Sequence, residues 1–360
     1  MAWEVAREGG VVRSIAPVRR DARRRPIRKS WLRRVRELWH RSTIAPMPSA
    51  DSWTTDRIPD LSGKTFIITG ANSGLGLETT RAVVAKGARV VMACRDSAKA
   101  EAARAQVAVG VAASSVSVME LDLASLESVR AFAEAVLSAH DRLDVLVNNA
   151  GVMAIPRRTT ADGFEMQFGT NHLGHFALTG LLLRRLLGTP GSRIVNLSSN
   201  AHKFGKMNFD DLNWEKGYGK WRVYGQSKLS NLLFTYELAR RAKDAGKDIT
   251  VAASHPGYAN TNLQFVGPQM EQSGLQERIV KWGNNWLSQS AAMGALPSLR
   301  AATDPGVASG DYFGPDRMFE QQGHPVKVDS TARSHDRDAQ RRLWEYSAQA
   351  TGVGYEALLG

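Results

Sequence analysis

Thr65-Phe66-Ile67-Ile68-Thr69-Gly70-Ala71-Asn72-Ser73-Gly74-Leu75-Gly76 joins a short apolar run to a glycine-rich turn and then to a helical segment. A five-residue run without polar alternation reads as a strand buried on both faces. Glycine permits a tight turn and lets the backbone come close to a pyrophosphate. The free N–H groups and the dipole at the start of the following helix attract the anion. The spacing, T-G-x-x-x-G-x-G, has three residues between the first two glycines and so differs from the G-x-G-x-x-G pattern. In this strand–turn–helix setting Gly70, Asn72, Ser73, Gly74, Leu75 and Gly76 are candidate nucleotide-binding residues; an ordinary βα loop is the plainer alternative.

Outward from that turn, apolar runs alternate with Ala- and Leu-rich helical stretches, a βαβ rhythm. The strands fall at 65–69, 89–93, 115–119, 143–147, 193–197 and 249–253, with a seventh near 311–313. Helices fall near 75–86, 96–109, 125–139, 162–187, 224–245 and 292–302. The pattern predicts an α/β fold: a single doubly wound Rossmann-type domain over 60–355, with a mainly parallel seven-stranded sheet and helices on both faces. Residues 47–59 read as a linker. Two stretches, 201–221 and 260–290, fit the rhythm poorly and read as lid-like insertions, because both leave the carboxyl ends of strands.

The chain has 360 residues, 43% hydrophobic and 23% charged, as expected of a soluble globular protein. No run reaches 18 apolar residues, so a spanning helix is not expected. The single Cys94 excludes an internal disulfide framework and suits a reducing, cytoplasmic compartment. The net charge of +12 is uneven: residues 1–46 hold 13 Lys/Arg against four Asp/Glu, leaving 34 basic and 31 acidic residues in 47–360. A nearly neutral body carries no broad footprint for nucleic acid. In 1–46 no secretory apolar core is evident, so secretion is not expected. Three readings of this basic extension stay open. It is translated sequence upstream of a true start at Met47, a nucleic-acid arm, or an amphipathic helix. In the last case Trp31, Leu32, Val35, Leu38 and Trp39 form one face and give peripheral membrane contact through residues 28–44.

The second strand ends at Ala93-Cys94-Arg95-Asp96, where a carboxylate would bind the adenine ribose hydroxyl of NAD. Arg95 past a missing carboxylate favours a 2′-phosphate, hence NADP(H) over NAD(H). Asp96 either caps the next helix or pairs with Arg95.

The turn, Asn148-Asn149-Ala150-Gly151 after the fourth strand, and Tyr224-Gly225-Gln226-Ser227-Lys228 together resemble the short-chain dehydrogenase/reductases from about Asp60 to Tyr355. Val195-Asn196-Leu197-Ser198-Ser199, then Ala201-His202 and the long gap to Tyr224, look most like the retinol dehydrogenase and protochlorophyllide reductase-like branch. That resemblance implies NADP preference and a small lipophilic carbonyl or alcohol substrate, and is compatible with a homo-oligomer. It also implies that Asp122 and Leu123 touch adenine and that Asn149, Ala150 and Gly151 line the ribose. Pro256, Gly257 and Thr261 would hold the nicotinamide end. Asn171 matches the family's helix-bending asparagine, which holds a water for proton relay to Lys228.

Residue chemistry points the same way. Carbonyl reduction needs a hydride donor and a proton donor at the developing alkoxide. Tyr224 and Lys228, four apart, project from one helix face. A nearby ammonium is expected to lower the tyrosine pKa from about 10 and to bind the nicotinamide ribose. Ser199 would hydrogen-bond the substrate oxygen, with Ser198 the competing serine, since the strand phase is open. Taken singly, Tyr and Lys at this spacing are a solvated helix face. His172 and His175, three apart without a carboxylate pair, read as structural, so no metal is expected; His202 and His255 cap or pack. Phe204, Phe209, Trp214, Tyr218 and Trp221 suit a bulky apolar substrate or a satellite core under the loop. The expected function is an NADP-dependent oxidoreductase. The alternatives are a catalytically silent NADP-sensing scaffold on the same fold, which has no need of Asn171, Ser199, Tyr224 and Lys228 together, and a membrane-surface protein working through its basic arm.

Overall fold

The computed structural model describes residues 52–110, 112, 115–259 and 289–358. From β1 (Thr65–Thr69) the chain runs through α1 (Gly74–Val84), β2 (Arg89–Cys94), α2 (Ser97–Val107), β3 (Val116–Glu120), α3 (Leu126–Ala139) and β4 (Val145–Asn148). One α-helical turn (Met166–Phe168) and a π-helical turn (Gly169–Leu173) lead into α4 (Gly174–Leu187). There follow β5 (Ser192–Leu197), α5 (Lys220–Asp244), β6 (Ile249–Ser254), α6 (Ala291–Thr303), β7 (Tyr312–Arg317), β8 (Gln322–Lys327) and α7 (Arg337–Thr351).

The strand order is β3-β2-β1-β4-β5-β6-β7-β8. Pairing is parallel through β7, whereas β8 returns antiparallel to β7. Among the described residues the sheet therefore has eight strands, not the seven expected. The extra strand, Gln322-Gly323-His324-Pro325-Val326-Lys327, has neither a continuous apolar run nor strict alternation. It forms because a tight turn folds it back along β7. The single helix expected over 162–187 is likewise broken by the π-helical turn at Asn171.

Side chains alternate between two core layers. Phe66 and Ile68 pack with Val83 of α1, Ala100 of α2 and Leu299 of α6. Ile67 packs on the other face with Val129 of α3, Leu182 of α4 and Phe234 of α5. All five residues of β1 are buried, as a two-sided strand requires. Each large aliphatic side chain so buried contributes about 1.5–3 kcal/mol. The stretch expected to be a linker takes part too: Trp53 and Ile58 are buried in the same layer as Phe66. The chain turns back on itself between β1 and β4, and the crevice at the carboxyl ends of these strands is where open α/β sheets hold ligands.

Candidate active site

Strand β1 delivers Thr69 to that crevice, and Thr69 organises its floor. Its hydroxyl oxygen accepts the N–H groups of Asn149 and Ala150, each at 2.9 Å, while Asn149 Nδ2 donates to the Thr69 carbonyl at 2.7 Å. The turn after β1 depends on glycine. Gly70 has φ +65°, and a Cβ on Gly76 would lie 2.4 Å from the Gly70 carbonyl oxygen and 2.7 Å from Asn149 Nδ2. Ser73 makes no side-chain cap on α1, so the first-turn N–H groups face the cleft without a side-chain acceptor from it.

This turn opens a cleft of about 450 Å³, lined by Gly70, Asn72, Ser73, Gly74, Leu75, Gly76, Cys94, Arg95, Asp122, Leu123, Asn149, Ala150 and Gly151. Lys99 lines it as well, a cation that sequence reasoning missed. Asp96 accepts from the Lys99 backbone N–H at 3.0 Å and pairs with the Lys99 ammonium at 2.7 Å. It thus takes the cap role, with Lys99 rather than Arg95 as its ion-pair partner. Arg95 is exposed at the cleft edge. One Asp122 carboxylate oxygen accepts the Ala124 N–H at 2.9 Å, which fixes the turn before α3. The buried Cys94 thiol is pushed up to about 11 by burial and stays protonated.

A second, more apolar cavity of about 860 Å³ adjoins the cleft. Leu75, Asn149, Gly151 and Leu197 are walls of both. Ser198, Ser199, Tyr224, Lys228, Pro256 and Gly257 line the second cavity, together with Met153, Phe204, Trp221, Tyr258 and Phe319. Pro256 and Gly257 thus lie on its side of the shared wall, while Thr261 is outside the described residues. Of the lid-like stretches, 260–288 is also outside them. Residues 201–221 begin as a 3-10 turn over Asn200–Lys203.

The two candidate serines separate cleanly. Ser198 donates its hydroxyl to the Lys228 carbonyl at 2.8 Å, a fixed structural bond. Ser199 lines the cavity with Tyr224, and its hydroxyl oxygen accepts the Ala201 N–H at 3.2 Å. Burial pushes Tyr224 up to about 12, and the Ser199 hydroxyl works against that rise. Burial is the largest influence on this phenol, which stands above its ordinary value rather than below it, with the Lys228 ammonium 5.8 Å from the ring centroid. Lys228 is itself pulled down to about 8 by burial and donates to the Leu197 carbonyl at 3.1 Å.

Asn171 sits in the π-helical turn and is fully buried. Its Oδ1 accepts the Val152 N–H at 2.8 Å, and its Nδ2 donates to the Val152 carbonyl at 2.9 Å and to Ser227 Oγ at 3.0 Å. Ser227 in turn donates to the Tyr224 carbonyl at 2.9 Å, linking Asn171 to α5. Ser227 was missed from the sequence; its signal is a hydroxyl three residues after Tyr224 on the same helix. A Cβ on Gly151 would meet Asn171 Oδ1 at 2.9 Å and Lys228 Nζ at 3.6 Å, so these groups crowd one point.

The loop aromatics divide between the two alternatives. Phe204 and Trp221 line the cavity, with the Trp221 ring edge-on to Tyr224 at 6.2 Å. Phe209 joins a satellite core with Leu212, Leu229 and Leu343. Trp214 donates to Gln226 at 3.1 Å and Tyr218 to the Ile155 carbonyl at 2.9 Å. His172 bonds Ser347 at 2.8 Å, and His202 donates to the Ser199 carbonyl at 2.7 Å, which steadies the serine's backbone.

The short chain dehydrogenase family profile matches residues 64–271. Retinol dehydrogenase 14 of Mus musculus is 44% identical over 306 residues, covering 81% of this chain and 86% of its own. Retinol dehydrogenase 13 of Homo sapiens is 42% identical over 298 residues, covering 81% and 85%. A crystal structure of an uncharacterized protein from Mycobacterium Paratuberculosis is 41% identical, with a TM-score of 0.70, covering 84% of this chain and 99% of that one.

Proposed function

The chain belongs to the short-chain dehydrogenase family, in its retinol dehydrogenase-like branch, and on that premise we propose that it transfers a hydride between NADP(H) and a carbonyl or alcohol of a lipophilic substrate. One observation carries the reading. Ser199 from the end of β5 and Tyr224 and Lys228 from α5 meet beside the wall shared by a glycine-cradled cleft and an apolar cavity.

The residues fit a dinucleotide. A side chain at Gly76 would fill the space under the turn, and the uncapped start of α1 suits a pyrophosphate. Arg95 and Lys99 at the cleft edge suit a 2′-phosphate, with Asp122, Leu123, Asn149 and Ala150 around the adenosine end and Gly151, Pro256 and Gly257 toward the nicotinamide. The reduced nicotinamide, when bound, supplies the hydride.

The chain's own residues handle the proton. Ser199 donates a hydrogen bond to the carbonyl oxygen and sets it against Tyr224. Tyr224, fully protonated at neutral pH because burial holds it near 12, gives its proton as the oxygen becomes an alkoxide. Lys228, charged below about 8, stabilises the phenolate left behind and anchors the cofactor ribose. Asn171, through Ser227 and Val152, fixes α5 against the loop after β4. Met153, Phe204 and Trp221 give the reacting end apolar walls.

The test is a spectrophotometric screen of NADPH oxidation with retinal, straight-chain aldehydes, quinones and sugar aldehydes. Turnover of the apolar carbonyls above the sugars is expected. Turnover confined to polar carbonyls, or none in any class, overturns the reading.

A further inference from the structure

The turn between β7 and β8 is strained in a way the fold does not require. Met318, Phe319 and Glu320 have φ of +53°, +56° and +64°, three successive non-glycine residues in the left-handed region. Such a run persists only where its surroundings hold it. Glu320 is the holder. Its carboxylate lies 2.9 Å from the Lys203 ammonium and 3.2 Å from His255 Nε2, and its carbonyl accepts Asn200 Nδ2 at 3.1 Å. His255 Nδ1 accepts the Gly257 N–H at 3.3 Å, so the proton sits on Nε2. The next residue completes the attachment, for the Gln321 carbonyl accepts the Tyr258 N–H at 2.8 Å. The turn is thus pinned to the 3-10 turn after Ser199 and to the segment after β6, both of which carry walls of the apolar cavity.

Between these bonds stands Phe319, which lines the cavity and is 95% exposed. An aromatic ring held on a strained turn and left in solvent contributes nothing to the core. Phe204 and Trp221, two further aromatics on that cavity, are 54% and 51% exposed. Three half- to fully exposed aromatics around one cavity form a surface suited to an apolar group longer than the cavity itself.

We propose that the β7–β8 turn is a specificity element in which Phe319, positioned by Glu320, covers the distal hydrocarbon part of a long or bulky substrate whose carbonyl sits at Ser199 and Tyr224. This rests on the proposed function for the reacting end, while the binding of the chain end is separable from it. Phe319 is the contact residue. Glu320 is a positioning residue, acting through the backbone of the turn.

The test compares full-length wild type with Phe319→Ala, Phe319→Leu and Glu320→Gln. One readout is the ratio of kcat/KM for decanal to that for propanal; the other, independent of turnover, is the affinity for a pyrene-labelled long-chain alcohol in the presence of NADP. Phe319→Ala is expected to lower both the ratio and the affinity about tenfold, the scale of losing one apolar contact, with the change in KM rather than kcat. Phe319→Leu should recover most of the loss, and Glu320→Gln should reduce the ratio several-fold while thermal stability stays close to wild type. If ratio and probe affinity both stay within twofold of wild type in Phe319→Ala, the proposal falls. It also falls if that variant keeps the ratio and instead dissociates a wild-type oligomer. If wild type reduces neither aldehyde, the proposed reaction fails, and probe affinity alone decides the role of the turn.

Discussion

Thr69 and His175, 106 residues apart, are joined by a buried hydrogen bond of 2.9 Å between the hydroxyl and Nε2. The other ring nitrogen, Nδ1, lies 3.1 Å from the Asn171 carbonyl, which can only accept, so Nδ1 carries the proton and Nε2 accepts from Thr69. Burial pulls His175 down to about 4, keeping it neutral at physiological pH. A continuous chain of bonds therefore runs from the Asn149 and Ala150 N–H groups through Thr69 and His175 to the π-helical turn.

His175→Phe removes both bonds and leaves the Thr69 proton and the Asn171 carbonyl without that partner. A loss of about 2–4 kcal/mol in unfolding free energy is expected, measured by urea titration. Nitrogen NMR of wild type should show the neutral Nδ1–H form from pH 5 to 8. A stability equal to wild type would show that the chain carries no energy.

Tyr224→Phe should lower kcat about 10²–10⁴-fold while NADPH affinity, followed by fluorescence, changes only a few-fold. The pH profile tests Lys228. Because its pKa is held at about 8, kcat/KM for carbonyl reduction should be level below that pH and decline above it as the ammonium is lost. Lys228→Arg, which stays charged, should remove the decline, although its altered geometry lowers the plateau. A profile level to pH 10 in wild type would detach Lys228 from the step.

Arg95 and Lys99 share the edge of the nucleotide cleft, and the Asp96 carboxylate is engaged by Lys99. A charge-assisted bond to a 2′-phosphate contributes about 1.5–3 kcal/mol, or roughly ten- to a hundred-fold in affinity. Wild type should prefer NADPH to NADH by at least about tenfold, and Arg95→Ala should erase most of that by weakening NADPH alone. Equal kcat/KM for the two cofactors in wild type would defeat the NADP assignment.

Among the described residues four buried imidazoles, His255 included, have their pKa lowered by burial and make the fold sensitive to acid. Burial holds His172 at about 3 and His175 and His202 at about 4, against an ordinary value of 6.5. Between pH 6.5 and 4 the unfolded chain binds more protons than the native one, so stability is lost as pH falls. With one pKa unit equal to 1.36 kcal/mol per group, the slope approaches about 4 kcal/mol per pH unit when these three contribute. Denaturation midpoints at pH 7, 6 and 5 should drop progressively, and His172→Gln should flatten the trend. Midpoints independent of pH over that interval would contradict the burial of these rings.

The first half of the site was legible because its chemistry is local. The turn Gly70–Gly76 and the four-residue step from Tyr224 to Lys228 carry their geometry in their spacing. Ser199 could not be separated from Ser198 by sequence, since the difference is made by the Lys228 carbonyl of a different element. Phe319 and β8 were invisible for a related reason. Three left-handed residues are not written in Met-Phe-Glu; they are imposed by Lys203 and His255, 117 and 65 positions earlier in the chain. Spacing shows the charge four residues from Tyr224 but not the depth of burial that raises the phenol.

Leu75, Asn149, Gly151 and Leu197 each present one surface to the nucleotide cleft and another to the apolar cavity. An occupant of either space therefore changes the wall seen by the other. Thermodynamic reciprocity makes the consequence symmetrical: whatever factor the dinucleotide adds to the affinity of an apolar ligand, that ligand adds to the affinity of the dinucleotide. Affinities for the two cannot be assigned to separate sets of side chains, and a substitution at any of these four positions will move both.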